Sequence, residues 1–338
     1  MAGMRLGLIG LGRIGAFHAQ TLADLPSVDS LVVTDAVPAV TKEVAERVGA
    51  EPVDSAAELL AAGVDGVLVA AATDTHPELV LAAVEAGLPV FCEKPLARAV
   101  DDAVWVARRV QESAVPVQIG YPRRFDPAFL AAHAAVESGE LGGLHTVRST
   151  TLDPAPPPAA YLAGSGGIFR DCAVHDFDAV RWVTGREVVE VYATGSDRGD
   201  LLFSEIGDVH TAAAILTLDD GTLGVVSNSR GNPRGYDVRL ELHGTADSAA
   251  AGLDDGLPLR SLEPGVTFPA GPAHSFFMDR LAGAFRAELA AFTEVVAGSR
   301  PSPCTVQDAL EVAFIAEAAT LSLQQHRPVR IEEVRAAP

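Results

Sequence analysis

From residue 4 to about 119, short apolar runs alternate with longer amphipathic stretches, a rhythm of buried strands and covering helices. Arg5–Ile9, Ser30–Val33, Gly66–Ala70, Pro89–Cys92 and Pro116–Ile119 read as strands. The intervening Ile14–Leu25, Pro38–Val48, Ser55–Ala61, Pro77–Ala86 and Val100–Glu112 read as helices. Apolar runs of this kind fit strands buried on both faces, and parallel strands need crossovers of about a dozen residues or more. The pattern predicts a doubly wound parallel α/β sheet over residues 1–120.

After Gly120 the rhythm changes. A helix is predicted over Pro127–Ser138, a strand over His145–Leu152, a Pro-rich loop over Asp153–Pro158 and a helix over Cys172–Val183. Strands follow at Val188–Ala193, Thr211–Leu218, Leu223–Ser229 and Val238–His243, with the hairpin signal Asp220-Gly221 among them. Two long helical patterns, Phe276–Ala297 and Thr305–Gln325, and a short strand at Pro328–Ile331 close the chain. Consecutive strands without helices between them predict an antiparallel or mixed sheet, so residues 121–338 read as a second, α+β domain. A chain of 338 residues exceeds what one core usually supports, which agrees with two domains.

Composition narrows the partners. A formal net charge of −20 opposes binding to phosphate backbones, and the longest apolar runs fall well short of a bilayer span. Nucleic acid and membrane are therefore not expected partners. The start of the chain lacks the basic and apolar regions of a secretory signal, which points to the cytoplasm. Cys92, Cys172 and Cys304 are far apart and without C-x-x-C spacing, so no metal site is expected.

Three stretches carry candidate chemistry. The first is Gly10-Leu11-Gly12-Arg13-Ile14-Gly15, placed between a predicted strand and a predicted helix. Gly10 suits the tight turn, Gly12 lets the backbone approach a pyrophosphate, and Gly15 lets helix and strand pack closely. Asp35 stands twenty residues further on, where a carboxylate accepts the adenosine ribose hydroxyls, and Ala36, Val37 and Pro38 supply no cation for a 2′-phosphate. NAD is expected rather than NADP. The second is Glu93-Lys94-Pro95, preceded by Thr73 and His76, at strand ends that face the ligand crevice in open α/β sheets. The chain has only two lysines, Lys42 and Lys94, which marks Lys94 as a candidate for chemistry. The third is Asp171, His175 and Asp178, which would share one helix face. There a carboxylate could orient a general-base histidine, although the spacing alone fits a solvated polar face equally well.

Together with Gln118-Ile119-Gly120-Tyr121-Pro122-Arg123-Arg124-Phe125-Asp126, Gly166-Gly167 and the closing Pro301-Ser302-Pro303 to Arg327-Pro328-Val329, these stretches resemble the glucose-fructose oxidoreductase, inositol dehydrogenase and rhizopine-catabolism family. The resemblance runs nearly the length of the chain. It implies a Rossmann domain followed by an open mixed-sheet domain with the active site between them, a homo-oligomer (tetramer or dimer), and oxidation of a secondary hydroxyl of a cyclic polyol or sugar. It also implies the catalytic trio Lys94, Asp171 and His175, with Asp178 and Tyr236 as further substrate residues. Arg13, Ile14, Thr73, His76, Glu93, Lys94 and Arg124 are implied on the cofactor side. The Arg-Arg-Phe-Asp stretch and the Asp-Pro-Ala-Pro-Pro-Pro loop look most like members acting on inositol, while Pro122 stands where many of those carry Met. Within the same fold, NAD-dependent glycosidases and non-catalytic NAD-binding regulators are the rival readings. The base is left open between Lys94 and His175.

Overall fold

A computed structural model describes residues 3–336. The chain divides into two compact units. Residues up to Pro122 together with Phe285–Glu311 form the first, and Arg123–Ala284 with the chain from Val312 onward form the second.

In the first unit, six strands form one parallel sheet: β1 (Met4–Ile9), β2 (Val28–Thr34), β3 (Glu51–Pro52), β4 (Gly66–Val69), β5 (Val90–Glu93) and β6 (Val117–Gly120), in the order β3-β2-β1-β4-β5-β6. The crossovers run through α1 (Arg13–Ala23), α2 (Pro38–Val48), α3 (Ala56–Ala61), α4 (His76–Glu85) and α5 (Val100–Ser113). The strand order reverses between β1 and β4, the switch point at which such sheets open a crevice for ligands. The two-residue β3 has no apolar run of its own, and the sequence pattern does not show it.

The expected division at residue 120 needs one correction. The helix Ala282–Val296, which the sequence assigns to the second domain, sends Leu289, Phe292 and Val295 into the same core as Leu6, Leu8, Leu68 and Phe91. Burial of these side chains, each worth about 1.5–3 kcal/mol, returns residues 285–311 to the first unit.

The second unit is built on a seven-stranded sheet: β7 (Leu144–Leu152), β8 (Val188–Ser196), β9 (Thr211–Leu218), β10 (Leu223–Ser229), β11 (Asp237–Gly244), β12 (Ser248–Ala251) and β13 (Val329–Arg330). Its order is β12-β11-β7-β10-β9-β8-β13, and among the described residues β7 with β10 is its one parallel pair. The strands alternate: Val147, Ser149 and Thr151, like Ala212, Ala214 and Leu216, are buried, while their neighbours face outward. The helices include α6 (Pro127–Glu137), α7 (Ala159–Leu162), α8 (Ile168–Asp171) and α9 (Val174–Thr184). The helix predicted over Cys172–Val183 is α9, and α8, a single turn of helix not predicted, precedes it across the turn at Cys172–Ala173. The long pattern Phe276–Ala297 breaks at Leu281.

Candidate active site

The glycine motif lies where the sequence puts it, between β1 and α1. Gly10 has φ +92°, and a Cβ there would come within 2.4 Å of the Ala71 nitrogen. A Cβ on Gly15 would stand 2.0 Å from the Gly10 carbonyl oxygen, so the closeness of turn and helix depends on its absence. Gly12 is different: a Cβ there meets nothing within 4 Å. Its missing side chain serves no contact within the protein and leaves open space at the start of α1. Gly12 is also the N-cap, and no side chain caps the helix. A helix start without a capping side chain presents backbone N–H groups to an anion. Asp35 is held ready by backbone donors: the Leu11 N–H reaches its Oδ2 at 2.7 Å and the Val37 N–H its Oδ1 at 2.9 Å. Each oxygen keeps a lone pair for a ribose hydroxyl. These residues fit a dinucleotide. Arg13 is exposed at the first turn of α1, whereas Ile14 packs against the core.

Thr73 sits half-buried in a short 3-10 turn after β4, and His76 follows at the start of α4. His76, expected on the cofactor side, is held by two backbone carbonyls. It is buried, its Nδ1 lies 2.8 Å from the Pro95 carbonyl and its Nε2 lies 3.1 Å from that of Ala71. Burial depresses its pKa, against the pull of those carbonyls and of Glu93. A neutral imidazole has one N–H, and we assign it to the shorter contact. His76 thereby ties the loop after β4 to the loop that carries Lys94.

Glu93 is also turned inward. Its Oε1 is 2.6 Å from Nε2 of the buried His18 on α1, and its Oε2 accepts the Lys94 N–H at 3.2 Å. Gly120 makes room for that carboxylate, since a Cβ there would lie 3.2 Å from Oε2. Lys94 itself is half-buried at the end of β5. His18 escaped the sequence reading, although a histidine one turn past the third glycine was a visible signal.

In the second unit, candidate residues gather at one end of the sheet. Because β7 and β10 are parallel and β11 antiparallel to β7, Asp153, Arg230 and Tyr236 all fall at the same edge. Asp171 accepts a hydrogen bond from the Tyr161 hydroxyl on Oδ1 at 2.7 Å, and its Oδ2 lies 2.9 Å from Nη2 of Arg230. Arg230 also reaches Asp153 at 3.4 Å. Burial opposes the arginine's charge, but the surrounding acidic groups outweigh it and hold its pKa above the ordinary value. Tyr236 is buried, and burial pushes its phenol pKa up, so it is a neutral hydrogen-bonding group. From Asp171 to Arg181, His175 is the one residue that is not buried.

Asp171, His175 and Asp178, expected on one helix, are divided between two. The turn at Cys172–Ala173 puts Asp171 on α8 and the other two on α9. Asp178, expected as a substrate residue, is 1% exposed, and its carboxylate is gripped by Arg124 through Nη2 at 2.6 Å and Nε at 3.0 Å. Arg124, expected on the cofactor side, takes part in this bidentate pair. The neighbouring Asp176 anchors α9 to the sheet. It receives Arg123 at 2.8 Å, Ser149 at 2.6 Å, Thr151 at 2.8 Å and Asn228 at 2.7 Å, all buried. Removing one partner from such a pair costs about 3–5 kcal/mol. Among the described residues no group of three or more His, Cys, Asp or Glu could hold a metal ion.

A parallel sheet of this order, with an open glycine turn and an oriented ribose carboxylate, defines a dinucleotide-binding oxidoreductase. Residues 4–121 match the oxidoreductase family with an NAD-binding Rossmann fold, and residues 129–250 match the GFO/IDH/MocA C-terminal domain. The chain belongs to the GFO/IDH/MocA oxidoreductase family, and NAD is its cofactor. It is 40% identical over 325 residues to the myo-inositol dehydrogenase Hyg17 of Streptomyces leeuwenhoekii, covering 94% of this chain and 98% of that one. It is 37% identical over 337 residues to the myo-inositol 2-dehydrogenase of Thermotoga maritima, covering 98% and 99%. The structure of a scyllo-inositol dehydrogenase from Lactobacillus casei with bound NAD(H) and scyllo-inositol superposes with a TM-score of 0.87 at 27% identity, over 98% of this chain and 99% of that one. The protein is thus an oxidoreductase acting on CH–OH groups.

Proposed function

We propose that the protein oxidises a secondary hydroxyl of an inositol to the corresponding ketone, with Lys94, Asp171 and His175 as its catalytic residues. The observation that carries this reading is the full-length likeness to proteins named myo-inositol dehydrogenases, at 37–40% identity. NAD, when bound, supplies the hydride acceptor. The protein's own residues handle the proton and the charge. His175, the accessible member of a buried run, takes the hydroxyl proton on a ring nitrogen. The Lys94 ammonium donates a hydrogen bond to the same oxygen and stabilises the negative charge that develops there. Asp171, ionised beside Arg230, favours the imidazolium that results. The second unit binds the polyol, with Tyr236 at the same sheet edge as Arg230.

The reading extends to assembly and location. The outward face of the second sheet carries an apolar row, Tyr192, Ile215 and Val225, paired in register across β8, β9 and β10. Two or four copies associate through this face. The three cysteines are buried free thiols, in keeping with the reducing cytoplasm, and among the described residues no helix is long and apolar enough to cross a membrane.

Replacing Lys94 by Ala tests the catalytic part. Turnover should fall by about a hundredfold or more, as for other lost transition-state donors, while the melting temperature stays that of the wild type. Near-normal turnover in a folded Lys94→Ala protein would remove the lysine from the mechanism.

A further inference from the structure

We infer that Arg230 is a positioning residue for the oxidation: it fixes the orientation of the Asp171 carboxylate and keeps it ionised. The inference rests on the proposed role of Asp171, and it begins from the break in the helix. Asp171 ends the single turn α8, and the turn at Cys172–Ala173 separates it from α9. The register of α9, which is anchored through Asp176, therefore does not aim Asp171. Its direction has to be set from outside.

Arg230 is built to set it. Its backbone is fixed at the end of β10, where its N–H donates to the His210 carbonyl at 2.8 Å. The adjacent Ser229 carbonyl accepts the Asp153 N–H at 2.8 Å, which joins the ends of β7 and β10. The side chain is 2% exposed, and its guanidinium stands between Asp171 at 2.9 Å and Asp153 at 3.4 Å. A guanidinium does not deprotonate, so Arg230 is a permanent charge whose ion pair at 2.9 Å draws Oδ2 of Asp171 to one place. A carboxylate as buried as Asp171, without such a neighbour, shifts towards its neutral form. A neutral Asp171 would no longer favour an imidazolium. The Tyr161 hydroxyl completes the hold on the other oxygen, but Tyr161 is half exposed and brings no charge. Arg230 brings both a charge and a backbone anchored at the end of β10.

The test compares Arg230→Met, which keeps the bulk and loses the charge, with Arg230→Lys, which keeps the charge and loses the fork. For Met, kcat on the preferred polyol should fall about a hundredfold, the scale of a small misplacement of a catalytic group. The Kd for NAD, which binds the other unit, should stay unchanged, and the isotope effect on kcat with C-deuterated polyol should rise as hydride transfer becomes limiting. Lys should recover about tenfold of that loss. A kcat for Arg230→Met within about threefold of wild type, or equal losses for Met and Lys, would overturn the inference. If Met does not fold, Lys carries the test alone: its kcat should fall about tenfold with a raised isotope effect, and wild-type values for both would overturn it. If the wild type oxidises no polyol, the functional reading fails separately, and crystal structures judge the inference. In the Met variant, or in Lys where Met does not fold, the Asp171 carboxylate should be displaced by about 1 Å or more, whereas an unmoved carboxylate would overturn it.

Discussion

The glycine motif lets two absences of a side chain be told apart. A methyl at Gly15 collides with the Gly10 carbonyl oxygen at 2.0 Å, whereas one at Gly12 enters empty space. Gly15→Ala should therefore destabilise the protein by about 1–3 kcal/mol, the usual cost of overpacking, and lower its melting temperature. Gly12→Ala should melt like the wild type and bind NAD about tenfold or more weakly, a loss of about 1.4 kcal/mol. Wild-type affinity in Gly12→Ala would contradict the assignment of that space to the pyrophosphate. The motif and Asp35 were legible in the sequence because they act through local backbone geometry. Arg230, Asp153 and Tyr161 were not, since their meeting at Asp171 depends on strand order and a helix break that no local spacing records. Glu93 and His76 were found as polar residues near the crevice, but the partners that turn them inward, His18 and the Pro95 carbonyl, lie 75 and 19 residues away in sequence.

At the scale of elements, most strands of both sheets could be read because they carry an apolar run or a clear alternation. The pieces missed, such as β3, β12, α7 and the helix Leu201–Ile206, are two to six residues long, too short to show a period. Helix ends were less legible than helices. The apolar pattern continues through Leu281 and through Cys172–Ala173, yet the backbone turns at both places. The open face of the second sheet makes its own prediction. Ile215 pairs with Tyr192 on one side and Val225 on the other, and it is 50% exposed. Beyond Val225 the row passes to Arg148 and Glu241, an ion pair at 3.4 Å that bounds the apolar patch. An unpaired charge at its centre should prevent burial against another copy. Ile215→Lys should elute at the monomer mass in light-scattering chromatography while the wild type elutes as a multiple, and an unchanged mass would place the interface elsewhere.

At the scale of the whole molecule, the chain is less simply divided than its sequence suggests. It leaves the first unit after Pro122, returns from Phe285 to Glu311, and ends in the second. The return could not be read from the sequence, because an amphipathic helix shows that it has an apolar face but not which core receives it. The residues of the proposed chemistry are divided between the units, Lys94 with the dinucleotide residues in the first and Asp171 with His175 in the second. The charge of −20 bears on neither half, since the candidate groups are set by their immediate partners. Formation of NADH by the purified protein, measured across the inositol stereoisomers and a set of aldoses with NAD and with NADP, tests the central claim most directly. The account predicts NADH accumulating in proportion to the polyol consumed, fastest with one inositol and with NAD preferred over NADP. No NADH from any inositol, or faster turnover of an aldose or with NADP, would contradict it.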